Sequence, residues 1–177
     1  MKNTFLSIVF VCFIVLSFFS GSSLAIMKGL STEELTNASD TVIEGEVGNT
    51  EAQWSKDGQT IFTSADVVIH TIIKGKSSKT KVRVEYEGGE VGEIGLKVSD
   101  QPALIQGEKV ILFLKAEKSK QDGDAYSIVG KSQGKYAIDA DGIARKGGFS
   151  IADGQEDIDN NIPADALIRK IKEIKRE

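Results

Sequence analysis

Cysteine is almost missing from this chain. The single one, Cys12, lies inside an apolar N-terminal run, and no thiol follows it. That excludes disulfides, thiolate metal sites and a cysteine nucleophile from everything after residue 12. Histidine occurs once, as His70, and tryptophan once, as Trp54. A histidine-based metal site would therefore have to recruit carboxylates. There is no basic excess either: past residue 25 stand 21 basic against 26 acidic residues, a net −5. A phosphate-backbone partner needs a basic stripe, so nucleic acid is excluded as an expected partner. Internal repeats and low-complexity segments are also lacking.

What is present begins with an export signature. Lys2 is the only charge before Lys28, and Phe5 to Phe19 is apolar apart from Ser7, Cys12 and Ser17. The small, polar stretch Ser20-Gly21-Ser22-Ser23-Leu24-Ala25 follows, with Ser23 and Ala25 where signal peptidase needs small residues. Cleavage is expected between Ala25 and Ile26. Phe5 to Ile26 is also long enough to span a bilayer, so an uncleaved anchor is the alternative. Cys12 has no small residues before it, which argues against a lipoprotein anchor. Both readings put the remainder outside the cytoplasm, secreted or at the cell surface. Membrane contact is then made only through the N-terminal segment, if that is uncleaved. The expected organisation is a signal peptide over 1–25, a β domain over 26–150, and an acidic linker with a C-terminal amphipathic helix over 151–177.

The longest regular stretch is Gln59 to Lys76, rich in β-branched residues, free of proline and without glycine before Gly75. Period two places Ile61, Thr63, Ala65, Val67, Ile69, Thr71 and Ile73 on one uncharged face, which should be buried. Phe62, Ser64, Asp66, Val68, His70, Ile72 and Lys74 form a mixed face. A strand this long is expected to coil and serve two parts of a barrel or sandwich. Before it, Ser31-Thr32-Glu33-Glu34 reads as a capping box for a short helix over Thr32–Ala38. Thr41 to Val47 is a first strand, continuing toward Trp54, with a turn at Ser55-Lys56-Asp57-Gly58.

Further on, Lys81 to Glu87 alternates, with Val82, Val84 and Tyr86 inward and Lys81, Arg83, Glu85 and Glu87 outward. Gly88-Gly89 breaks the alternation, and Gly92 and Gly95 mark an excursion or bulge. Val110-Ile111-Leu112-Phe113-Leu114 is apolar on both faces and should be the most buried strand. Tyr126–Val129 and Lys135–Ile138 are read as the last barrel strands, and Asp141-Gly142 turns into Ile143-Ala144-Arg145. Pro163 is expected at the first position of a final helix reaching about Lys175, with Leu167, Ile168, Ile171 and Ile174 as its apolar stripe. Lys172, Lys175 and Arg176 suit its C-terminal dipole. Short strands separated by Asp-Gly at 57–58, 122–123 and 141–142 make the class all-β and antiparallel.

The pattern resembles that of uncharacterised exported prokaryotic domains. It consists of an alternating strand ending Ile72-Ile73-Lys74-Gly75, a strand ending at Gly88-Gly89, and then Gly107-Glu108-Lys109-Val110-Ile111-Leu112-Phe113-Leu114. More distantly, Leu30 to Ile138 resembles the netrin-like domain of tissue inhibitors of metalloproteinases. That resemblance implies an OB-like antiparallel Greek-key barrel with a short N-terminal and a C-terminal helix. Those inhibitors chelate a protease zinc through an N-terminal cysteine. Here no cysteine follows residue 12, so that mechanism does not carry over.

No motif identifies a reaction. The reading is a non-catalytic interaction module whose partner is an unknown protein at the cell surface or outside, with no cofactor and no metal. Inhibitor-like protein binding is implied by the resemblance. It would place the contact at Ile26 to Leu30, Trp54 to Gly58 and the excursion Gly88 to Gly95, giving Trp54, Glu90, Val91 and Glu93 as candidate binding residues. The plainer account is that these glycines turn a barrel corner and that Trp54 plugs a barrel end. The alternative function is a small extracytoplasmic hydrolase or metal-dependent enzyme using His70 and carboxylates, although a lone histidine on a mixed strand face is usually a packed or edge residue. Asp139-Ala140-Asp141-Gly142 opens like a calcium loop, but position 150 is Ser150 where glutamate is required, so it reads as a hairpin turn. Asp153, Glu156, Asp157 and Asp159 read as a solvated run. Asn37-Ala38-Ser39 is a glycosylation sequon.

Overall fold

The computed structural model describes residues 28–149 and 158–174. The cleavage site at Ala25 and Ile26, the segment 1–25, Asp153, Glu156, Asp157, Lys175 and Arg176 lie outside them. The chain is mostly β. Ten strands are present among the described residues: β1 (Thr41–Trp54), β2 (Ile61–Lys74), β3 (Lys81–Glu87), β4 (Gly89–Val91), β5 (Ile94–Leu96), β6 (Lys109–Lys118), β7 (Asp124–Ile128), β8 (Lys135–Ile138), β9 (Ile143–Arg145) and β10 (Ile162–Pro163). Two α-helices flank them, α1 (Thr32–Ala38) and α2 (Ala164–Ile174).

Eight strands form one mixed sheet that curls into a partly closed ring, β1-β2-β3-β7-β6 and back to β1. All of its pairings are antiparallel except β3–β7, which meet in parallel at Val84 and Tyr126. Closing a sheet requires a stagger between its ends, and the register shows one. Followed through β7, β3 and β2, Ala116 lies level with Thr50. Across the direct β1–β6 pairing, where Leu114 faces Thr41, it falls two residues before Thr41. β1 manages this with register shifts against β2 between Val42 and Ile43, Glu44 and Gly45, and Val47 and Thr50. At one of them only glycine fits, because a Cβ on Gly45 would stand 2.3 Å from the Val68 carbonyl oxygen.

Alternation decides what fills the ring. Ile43 and Val47 of β1, Ala65 and Val67 of β2, Val82 and Val84 of β3, and Val110, Leu112 and Leu114 of β6 make the interior core, joined by Leu104 and Ile128. The opposite face of β6 is buried as well. Ile111 and Phe113 pack with Leu35 of α1, Leu167 and Ile171 of α2, Val42, Ile73, Tyr136 and Ala144 in a second core outside the ring. An apolar run with no alternation is the expected pattern for a strand covered on both sides, and all five residues from Val110 to Leu114 are fully buried.

The helices are held by specific bonds. The Glu34 N–H donates to Ser31 Oγ at 3.1 Å and the Ser31 N–H to Glu34 Oε2 at 2.8 Å, completing the capping box. At the other end of α1, the Lys74 ammonium donates to the carbonyls of Thr36 (2.5 Å) and Ser39 (2.8 Å), placing a cation where the helix dipole is negative. α2 starts at Ala164, one residue later than the proline signal suggests. Pro163 instead lies in β10 opposite Ile143, and the Ala164 N–H bonds the Gly142 carbonyl. β8 likewise differs from the expectation of a ring strand. It runs along the β6 edge in line with β7, after an excursion over residues 129–134, and leads into β9 and β10.

Candidate functional site

Three neighbouring strands present a polar outer face in register. Across β1, β2 and β3 the rows read Glu51–Ser64–Glu85 and Gln53–Phe62–Glu87, with Asp66 opposite Arg83 in the row below. Asn49, Glu51, Gln53, Ser64, Asp66 and Arg83, with Gln121 from the β6–β7 turn, line a cleft of about 250 Å³. These side chains point outward because their neighbours Val47, Ala65, Val67, Val82 and Val84 fill the ring.

The β6–β7 turn borders this face. Glu85, expected on the solvent side, is buried because its carboxylate anchors that turn. It accepts the Ser119 hydroxyl at 2.6 Å and the Lys120 N–H at 2.8 Å, with Ser64 Oγ at 3.4 Å. Gln121 Nε2 donates to the Trp54 carbonyl at 2.6 Å, the Lys56 N–H to the Lys120 carbonyl at 3.3 Å, and Lys56 pairs with Asp122 at 3.1 Å. The β1–β2 and β6–β7 turns are thereby tied together at one end of the cleft. Ser55 Oγ donates to Asp57 at 2.5 Å inside the first of them, and that bond with the Gln59 N–H holds the Asp57 carboxyl below its ordinary range.

Charge in the cleft is mixed. Asp66 is engaged by Lys81 at 2.8 Å. The Arg83 guanidinium, directly across from Asp66 in register, makes no ion pair with another described residue, and Asn49 and Glu51 make no side-chain hydrogen bond among the described residues. Rigid strands thus hold unengaged donors and acceptors toward solvent.

The residues expected to bind a partner lie at a different place. Trp54 is 38% exposed at the end of β1, and its neighbour Ala52 faces the β4–β5 hairpin. A Cβ on Gly89 would fall 2.7 Å from the Ala52 Cβ and 2.7 Å from Thr63 Oγ1, and Gly89 has φ +134°. Gly89 therefore lets the hairpin pack against the ring's own strands. The Gly88 N–H bonds the Ile61 carbonyl, and Thr63 Oγ1 the Gly88 carbonyl. Val91 is half-buried, Glu90 and Glu93 are exposed, and Ile94 is 56% exposed. Trp54 and the hairpin thus share one end of the ring, on the side of the strands opposite Gln53 and Glu51.

His70 is exposed on β2. Among the described residues no three histidine, aspartate or glutamate side chains converge as metal ligands would. Asp139 works within its hairpin, accepting the Ile143 and Asp141 N–H groups and the Arg145 guanidinium. The Ile143 bond, then Arg145, holds its carboxyl below the ordinary range. Asn37 is exposed on α1.

A second polar cluster lies beside the outer core. Tyr136 is fully buried, donates to the Asp159 carbonyl at 3.0 Å and lies 3.4 Å from the Thr32 hydroxyl; burial raises its phenol. Thr32 and Lys170 both donate to Asp159 Oδ2, at 2.5 and 2.6 Å. Burial pushes the Asp159 carboxyl up, but the bonds from Lys170 and Thr32, then the charges of Lys170 and Lys146, hold it net below its ordinary range. Lys146 is 8% exposed, its ammonium 4.6 Å from the Tyr136 ring centroid. The ammonium has no hydrogen-bond partner among the described residues, while the Lys146 backbone N–H donates to Asn160 Oδ1 at 2.8 Å. Burial lowers its pKa to about 8 against a weaker pull from Asp159.

Neither the cleft nor Lys146 stands out in the sequence. The cleft becomes visible only once the alternating polar positions Asn49, Glu51, Gln53, Ser64, Asp66 and Arg83 are aligned by hairpin register. Compared with protein families and with curated proteins, the chain matches none.

Proposed function

We propose that this protein is an exported, non-catalytic interaction module built on an OB-like barrel, and that it binds its partner on the β1–β2–β3 face. Five ring strands in the order β1-β2-β3-β7-β6, with the single parallel pairing between β3 and β7, support the OB-like reading. Helices before the first strand and after the last agree with the distant netrin-like resemblance. In OB barrels the face of strands 2 and 3, between the loops joining strands 1–2 and 4–5, is where extended ligands bind. The fourth and fifth ring strands here are β6 and β7. The cleft lies on ring strands one to three, with those two turns bonded to each other at one of its ends.

The observation that carries the proposal is this cleft, where Arg83, Glu51 and Asn49 face solvent from strands. Sites on strands are held more rigidly than sites on loops. The test is capture from the native cell envelope by the immobilised protein, comparing wild type with the double variant Glu51→Lys, Arg83→Glu. Capture should be lost with the melting temperature unchanged. Capture that survives those changes but disappears with Val91→Asp would move the site to the hairpin. A hydrolase activity abolished by His70→Ala would overturn the non-catalytic reading.

A further inference from the structure

We infer that Asp122 is a modification site: its side chain condenses slowly with the Gly123 amide, and water reopens the ring to an isoaspartyl linkage within the β6–β7 turn. Four Asp-Gly pairs occur in the chain, at 57–58, 122–123, 141–142 and 153–154, and the last lies outside the described residues. Glycine after aspartate favours this reaction because no side chain shields the attacking nitrogen. The fold then decides which pair reacts. The attack needs a glycine N–H that is not already engaged and a carboxyl group that can swing back to it.

Two of the three described pairs are restrained. The Gly58 N–H donates to the Ser55 carbonyl at 2.8 Å, and the Asp57 carboxylate accepts the Ser55 hydroxyl and the Gln59 N–H. The Gly142 N–H donates to the Asp139 carbonyl at 3.0 Å. Gly123 differs. Its N–H makes no hydrogen bond among the described residues, and only its carbonyl is used, accepting from the Ser119 N–H at 3.1 Å. A Cβ added to Gly123 would meet nothing within 4 Å, so the residue stands in open space. The Asp122 side chain is 86% exposed, and its partner is the exposed Lys56 ammonium, 3.1 Å away. A surface pair of this kind is worth little and restrains the carboxyl only weakly.

The step needs no reagent but water. The Gly123 nitrogen forms a bond to the Asp122 side-chain carboxyl carbon. A carboxyl oxygen leaves as water with the amide proton, and a cyclic succinimide results. Water then cleaves one of the two ring carbonyl–nitrogen bonds. Cleaving the side-chain one restores aspartate. Cleaving the main-chain one leaves the backbone running through the Asp122 Cβ, longer by a methylene, with a carboxylate where the main-chain carbonyl stood. That added length falls beside Ser119 and Lys120, which Glu85 anchors, and beside the Lys56 clasp. The turn that borders the cleft therefore changes shape as the protein ages.

The test incubates the purified protein at neutral pH in water enriched in heavy oxygen, then maps tryptic peptides by mass. Each passage through the ring leaves a heavy oxygen on the aspartate. The four pairs fall in separate tryptic peptides, so Asp153-Gly154 does not enter the comparison. In the folded protein Asp122 should take up label about tenfold faster than Asp57 and Asp141, roughly what one hydrogen bond is worth. Electron-transfer fragmentation should find isoaspartate at 122. In denaturant the three rates should converge, and Asp122→Glu should remove the label from its peptide. Equal rates in the folded protein, no label at Asp122, or a ranking that persists in denaturant would overturn the assignment. The isolated isomer should also lose exchange protection at the Lys56 amide, which donates to the Lys120 carbonyl at 3.3 Å. Retained protection there would overturn the expected change in the turn.

Discussion

The two sides of β6 are both sealed from water, but by different means. Toward the ring, Val110, Leu112 and Leu114 belong to an apolar core against which the partly buried tyrosines 86 and 126 pack. Toward the helices, Ile111 and Phe113 meet a core whose margin includes Tyr136, with Thr32, Lys146, Asp159 and Lys170 beside it. The inner core joins strands whose positions the ladder already fixes, so shape and apolar area suffice. The outer core must dock two helices that share no ladder with the sheet. There, directional bonds through Asp159 link α1 (Thr32), α2 (Lys170) and β8 (Tyr136). Apolar packing supplies most of the stabilisation, and the polar cluster supplies orientation.

The sharpest way to break this contrast is to truncate β6 on each side. Phe113→Ala should cost roughly 3–5 kcal/mol and Leu112→Ala roughly 2–5 kcal/mol, measured by denaturant unfolding. The two should differ in where protection is lost. In native-state hydrogen exchange, Phe113→Ala should selectively release the amides of α1 and α2, while Leu112→Ala should loosen the ring. Equal loss in both elements for both variants would mean that the cores act as one unit.

A smaller effect isolates the buried amine. Lys146 titrates near 8 in the folded protein against an ordinary 10.5, so between those values the unfolded chain holds more protons than the folded one. Stability should then rise with pH across that window, by on the order of 3 kcal/mol. Lys146→Met keeps the stem and removes the charge. It should stabilise the protein at pH 7 and flatten the rise between pH 8 and 10.5. A melting curve whose pH dependence is the same in wild type and variant would show that the ammonium reaches water.

The smallest effect concerns the clasp between the turns. Ser119→Ala removes one of the hydrogen bonds to the buried Glu85 carboxylate and should cost about 1–2 kcal/mol. If the turn forms one wall of the cleft, ligand affinity should fall with it. A loss of stability with affinity intact would confine Glu85 to a structural part.

Much of the frame was legible in the residues. The capping box at Ser31 and Glu34, the full span of β2 and the double burial of Val110–Leu114 follow from local signals and alternation, which need no knowledge of distant partners. The exceptions all depend on contacts far apart in the chain. Alternation correctly turned Glu85 outward, but could not show that Ser119 and Lys120 would cover it. Thr32 meets Asp159 across 127 positions, and nothing near either residue marks the pairing. Lys146 reads as one more surface cation. Trp54 and the Gly88–Gly95 excursion stand out in the sequence because they are chemically unusual. The cleft residues do not, since Asn, Gln, Ser and Glu are what any solvated face carries.

The ring also fixes an order of events in time. The hairpin β1–β2 and its neighbour β3 form from contacts close in sequence. Closure waits for β6, whose Leu114 must find Thr41 from more than seventy positions away. Until that strand arrives, the edge of β1 from Thr41 to Glu46 offers unpaired amides and carbonyls beside apolar Val42 and Ile43, a template for sticking to another chain. Contacts of this span are slow to form. A chain cut short before Lys109 should therefore keep that edge open and be more prone to self-association than the full chain.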